Sequence, residues 1–102
     1  MESITFVNVL TVPAAREEEF VAKWDKGAAY VRTCKGFVST SLHRALGNAD
    51  PLRFFTIAAW ESADDFRAAT STGWWRDFAE EFGFGEGAAD FKAEPSVCRQ
   101  IR

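Results

Sequence analysis

The chain has one histidine, His43, among its 102 residues. A single subunit therefore lacks the imidazoles for a two-histidine, one-carboxylate iron site or a histidine-rich zinc site. Positive charge is also short: twelve Lys and Arg stand against fifteen Asp and Glu, a formal charge of -3. No basic stripe is available to displace counterions from nucleic acid or to hold an acidic membrane surface. Cys34 and Cys98 are far apart and in no Cys-x-x-Cys pair, so they read as reduced, partly buried thiols without a redox role. No apolar run approaches the roughly 18 residues of a membrane span. The start, Met1-Glu-Ser-Ile, lacks the basic and apolar segments of a signal peptide, and a cytoplasmic protein is expected. No Gly-x-Gly-x-x-Gly follows a strand, no Walker lysine is present and no serine sits in a nucleophile elbow. Hydride transfer from a dinucleotide, phosphoryl transfer and serine hydrolysis all lack their parts.

Aromatic rings are what the chain has in plenty, with ten Phe and four Trp. With 47% hydrophobic and 26% charged residues it otherwise resembles an ordinary soluble globular protein. Residues 1–102 are read as one domain, large enough for a core and small enough that part of its apolar surface needs a partner. The aromatic excess suggests that something large and flat is enclosed.

The stretch from Phe54 to Trp60 has no Gly, Pro or charge, which predicts a strand covered on both faces. Alternation turns Phe54, Thr56, Ala58 and Trp60 one way and Phe55, Ile57 and Ala59 the other. Ser62, with Asp64 and Asp65 after it, supplies the hydroxyl cap and acidic first turn of a helix. Trp60 thus stands at a strand end where a helix begins to cover the sheet.

Ile4 to Val12 is β-branched and apolar, a first strand ended by Pro13. Asn8 disturbs it, because it shares a face with Ile4, Phe6, Leu10 and Val12, and a buried amide has to be paired to backbone or to a ligand. Ala14 to about Thr33 reads as a helix with Glu17, Glu18 and Glu19 early and a stripe of Phe20, Trp24, Ala28 and Val31 against the sheet. Phe37 to Arg44 is the second strand and Gly47 to Pro51 the turn into the third. The second helix, from Ala63, is expected to break near Gly73 and resume over Trp74 to Phe82. Phe66, Trp74 or Trp75, Phe78 and Phe82 are expected on its inner side. Gly83 to Gly87 reads as a loop, and Ser96 to Arg102, after Pro95, as a short last strand.

The order strand, helix, strand, strand, helix, strand predicts an α+β, ferredoxin-like βαββαβ fold, a four-stranded antiparallel sheet with its helices on one face. The other face, with Val7, Val9, Phe55, Ile57 and Ala59, is left to an interface. A symmetric homodimer with the two sheets face to face would cover it.

Three segments carry a resemblance to a known family: Phe6-Val-Asn-Val-Leu-Thr-Val-Pro13, Gly36-Phe-Val-Ser-Thr-Ser-Leu-His-Arg44, and Ala59-Trp-Glu-Ser62 followed by Phe66. Together they resemble the antibiotic biosynthesis monooxygenase family over most of the chain. That resemblance implies a dimeric α+β barrel of ferredoxin-like subunits. It also implies either oxidation of polycyclic phenols or anthrones by dioxygen, with no metal or flavin, or the binding and degradation of haem. Of the oxygenase pattern, the strand-end tryptophan matches Trp60. Its asparagine four residues earlier is Thr56 here, and its tyrosine six residues later is Phe66. Of the haem-degrading pattern, the strand-one asparagine matches Asn8. Its helix tryptophan falls at Ala69 and its ligand histidine at about Ala79, which removes the metal ligand.

The expected catalytic residues are Trp60 and Asn8, as donors to a substrate oxygen. Thr56, Phe66, Trp74, Trp75 and His43 are candidate contacts to a small aromatic substrate, and no cofactor is called for. Each has a plainer role available: Trp60 as a core ring, Asn8 bonded across to the strand-helix junction, His43 at the surface or in the dimer contact, and the tryptophan pair as core and rim. Three functions follow: an oxygenase acting on a planar aromatic or quinol, a non-catalytic binder of a small molecule or haem-like ring, and a dimer whose pocket its own aromatics fill.

Overall fold

A computed structural model describes residues 2–47, 49–82 and 91–102. Strands β1 (Ile4–Val12), β2 (Phe37–Arg44), β3 (Leu52–Trp60) and β4 (Lys92–Cys98) form one antiparallel sheet in the order β2-β3-β1-β4. Helix α1 (Glu17–Val31) follows β1, and α2 (Ala63–Ala69) and α3 (Gly73–Phe82) follow β3. This is the ferredoxin-like α+β arrangement, with the two longest and most apolar strands, β1 and β3, side by side at the centre. The expected loop over Gly83 to Gly87 lies outside the described residues.

Three element boundaries differ from the sequence reading. The first helix opens as a 3-10 turn over Ala14–Arg16 and its α-helical part ends at Val31. The second helix is interrupted over residues 70–72, one step before the expected glycine. Thr72 caps α3 instead, accepting from the Trp75 N–H at 3.1 Å, while Gly73 is the first residue of that helix. The largest correction concerns the last strand, which runs from Lys92 to Cys98 and contains Pro95, whereas residues 99–102 belong to no strand. Proline is tolerated there because β4 pairs with β1 alone, and an edge strand has a side on which a missing N–H breaks no ladder.

The register fixes which side chains share a face. Ile4 pairs with Trp60, Phe6 with Ala58, Asn8 with Thr56, Leu10 with Phe54 and Val12 with Leu52. All of these lie on the helix side, and all but Phe6 and Thr56 are buried. The Ser62 hydroxyl accepts from the Asp65 N–H at 3.1 Å, so the chain turns into α2 immediately beyond Trp60. Gly36 makes the corresponding turn ahead of β2, with φ at 82°. A Cβ there would meet Asp65 Oδ2 at 2.2 Å, so both its left-handed backbone and the closeness of α2 demand glycine.

The core beneath the helices is divided. One cluster gathers Leu10, Val12, Phe20, Phe54, Phe78 and Phe82 with their neighbours, and the other Ile4, Ala58, Trp60 and Ala69. The registered pair Asn8 and Thr56 lies between the two along β1 and β3. On the opposite face Val7, Val9, Phe55 and Ala59 are half-buried and Ile57 is 42% exposed. No helix among the described residues is long and apolar enough to cross a membrane.

Candidate functional site

A cavity of about 360 Å³ opens where the core divides. That is within the size range of small-molecule sites. Its floor is the sheet, with Asn8 and Thr56 at the middle and Phe6 and Trp60 toward one end. Its walls come from α1 through Trp24 and Gly27 and from the second helical segment through Phe66, Trp75 and Phe78.

Asn8 is the polar centre of this floor. Its residue is 7% exposed, and its Oδ1 is buried with no hydrogen-bond partner. An unsatisfied buried acceptor costs roughly 1–3 kcal/mol, so a strand of Ile, Phe, Val and Leu carries a distinct energetic liability at this one position. A turn of the amide about its last side-chain bond would bring Oδ1 to a ligand donor in the cavity, which would satisfy it. Thr56, directly across on β3, has its Oγ1 bonded by the Trp24 indole N–H at 3.0 Å.

Trp60 is 2% exposed and is held edge-on by two rings, Phe37 with centroids 5.5 Å apart at 83° and Phe66 at 5.8 Å and 75°. These contacts fix its orientation while it still forms part of the cavity wall. Phe66 also stacks obliquely on Phe6, at 5.1 Å, and so ties α2 to the sheet. Trp75 packs on Phe78 with centroids 5.2 Å apart.

The structure thus brings Asn8, Thr56, Trp60, Phe66 and Trp75 around one space and leaves two of the expected residues outside it. Trp74 is 39% exposed and lies flat on Tyr30, with centroids 4.1 Å apart and planes 8° apart. Tyr30 in turn bonds the Ala69 carbonyl and the Thr72 hydroxyl, each at 2.8 Å, so Trp74 belongs to a clasp on the helical joint. His43 pairs in register with Phe55 on the opposite face of the sheet, is exposed, and its Nε2 lies 2.9 Å from the Ser41 hydroxyl. A bulge between Phe37 and Ser39 helps set which face β2 presents there.

Trp24, Gly27, Thr40 and Thr70 also line the cavity, and sequence reasoning did not single them out for the site. Trp24 was visible only as one member of an apolar helix stripe. Gly27, within α1, was the one local signal, because glycine in a helix interior is unfavourable unless something approaches closely. A Cβ on Gly27 would lie 2.6 Å from Phe78 Cζ, so this glycine lets α3 approach α1.

None of the described residues lining the cavity is ionisable. Glu19, which the Arg16 side-chain hydrogen bond holds below the ordinary carboxylate value, is exposed on the first turn of α1 and is no part of this wall. Among the described residues no group of three or more His, Cys, Asp or Glu side chains is placed to hold a metal ion, and both cysteines are free.

The family model for antibiotic biosynthesis monooxygenase matches residues 3–81. No curated protein matches by sequence. SnoaB, a cofactor-independent oxygenase from Streptomyces nogalater, is 24% identical, with 100% of this chain and 96% of that one covered and a TM-score of 0.81. A protein of Shewanella loihica PV-4 is 25% identical over 99% of this chain and 96% of its own, at a TM-score of 0.75. A conserved protein from Methanosarcina mazei Go1 keeps a TM-score of 0.80 at 13% identity, covering 99% and 95%. Likeness at such low identity establishes the shared fold.

Proposed function

The chain belongs to the antibiotic biosynthesis monooxygenase family, and from that premise we propose that its cavity oxidises a planar, electron-rich aromatic or quinol substrate of the anthrone type with dioxygen. Neither metal nor flavin takes part. The observation that carries this reading is the unpaired amide of Asn8, buried in the floor of an aromatic-walled cavity. A flat ring system would lie against Trp60 and Phe66 at one end, beneath Trp75 and Phe78. A ring hydroxyl would give Asn8 Oδ1 the donor it lacks.

The chemistry asks little of the protein. A ring methylene loses a proton to solvent and leaves an anion delocalised onto the ring oxygen. That anion passes one electron to dioxygen, and the radical and superoxide combine to form a C–O bond and, after protonation, a hydroperoxide. Loss of water breaks the O–O bond, so that CH2 and O2 become C=O and H2O. The amide N–H of Asn8 and the indole N–H of Trp60 favour the anion.

The working unit is a homodimer joined through the open sheet face, where Val7, Val9, Phe55, Ile57 and Ala59 would be covered by the partner's copy of the same surface. The test is oxygen-electrode measurement with anthrones, naphthols and quinols after exhaustive chelation and without added flavin. Substrate-dependent uptake is expected, lowered on the order of a hundredfold in Trp60→Phe. Ligand binding without any uptake would replace the oxygenase with a non-catalytic binding protein. Absence of both would leave the cavity as structure.

A further inference from the structure

Three threonines line the cavity, and their hydroxyls are committed differently. Thr40 Oγ1 donates to the Ile57 carbonyl at 3.2 Å and Thr70 Oγ1 to the Phe66 carbonyl at 2.9 Å, so backbone takes both protons. Thr56 is arranged in the opposite sense. It receives the Trp24 indole N–H at 3.0 Å, and since an indole N–H can only donate, the Thr56 oxygen must accept. Its own O–H is then the part left for another acceptor. Beside it, on the register-paired position of β1, stands Asn8 with its buried, unpartnered Oδ1.

We propose that Trp24 is a positioning residue that assigns Thr56 the hydrogen-bond donor role in this cavity, so that the sheet floor selects flat-ring ligands with a carbonyl oxygen at Thr56. The proposal rests on the reading of the cavity as a ligand site given above, and it adds which polarity the ligand edge must have. One ligand oxygen accepts from Thr56, and a neighbouring hydroxyl donates to Asn8 Oδ1. A hydrocarbon of the same outline gains nothing from either group.

The test is equilibrium binding of 9-fluorenone, whose one oxygen is an acceptor, against fluorene, which has the same outline without oxygen. Titration under argon keeps oxygenation out of the measurement. Thr56→Val and Trp24→Phe are each expected to weaken fluorenone binding by about five- to tenfold, with fluorene affinity almost unchanged. The double variant should bind no more weakly than Thr56→Val alone, because the two residues act through one hydroxyl, and Thr56→Ser should restore binding. Retained fluorene binding also reports that each variant is folded. Equal losses for both probes would make Trp24 a packing residue and overturn the proposal. Additive losses, or no preference of the native chain for fluorenone over fluorene, would overturn it as well. If the oxygenase reading alone is wrong, oxygen uptake fails in air while the preference for fluorenone and its dependence on Trp24 remain.

Discussion

Replacing Asn8 by leucine should make the protein more stable and less functional. Leucine is close to asparagine in shape and removes the amide whose Oδ1 is buried without a partner. Its neighbours along the same face of β1 are Phe6 and Leu10, and Ala58 and Phe54 follow on β3, so an apolar side chain is at home there. Relief of one unsatisfied acceptor is worth about 1–3 kcal/mol, to which extra apolar contact adds. For a chain of this length each kcal/mol moves the melting temperature by about 4–8 °C. A rise of roughly 5–20 °C in Asn8→Leu is therefore expected. Urea unfolding of native chain and variant should be compared at equal protomer concentration, because association makes apparent stability concentration-dependent. Binding of a hydroxylated aromatic should fall in the same variant. A stability loss of about 1 kcal/mol or more would refute the reasoning, since it would mean that the amide is paired within the protein. Unchanged ligand affinity would be equally damaging. The expected outcome is the usual exchange at a binding site, where stability is given up for a group that only a ligand satisfies.

Gly27→Ala should separate cavity from fold in another way: the helix gains about 1 kcal/mol in propensity, while the new Cβ, 2.6 Å from Phe78 Cζ, drives that ring into the cavity. Net stability should change little, and an unimpaired ligand affinity by titration calorimetry would contradict the placement of Phe78. Ile57→Lys, on the open sheet face where Ile57 is 42% exposed, should convert a dimer to monomer or unfold the chain. Light scattering that finds the native chain monomeric at micromolar concentration would end the dimer proposal. Because no described residue of the cavity wall is ionisable, pH-rate midpoints should follow the acidity of each substrate. One midpoint shared by substrates of different acidity would reveal a protein base.

Local chemistry made much of this molecule legible from sequence. The β-branched, apolar run of Ile4–Val12, closed by Pro13, and the alternating character of Phe37–Arg44 marked those strands to the residue, and the hydroxyl and acidic residues at Ser62, Asp64 and Asp65 placed the start of α2. The face of β3 that carries Thr56 and Trp60 followed from alternation alone, and the odd amide at Asn8 stood out because a strand has only two faces. Tertiary structure decided whatever depends on neighbours distant along the chain. Pro95 lies within a strand because β4 is at the sheet edge, and edge position is a property of the assembled sheet. Trp74 and Trp75 are adjacent in sequence, but about 100° of helical rotation separates them. Packing on Tyr30 and Phe78 determined which one reaches the cavity. His43 pairs with Phe55 on the face away from the helices, a placement that the composition of β2 alone does not define. Trp24 and Thr56 are 32 residues apart, one in a helix stripe and one in a strand. Only the crossing of α1 over the sheet sets an indole N–H against that hydroxyl.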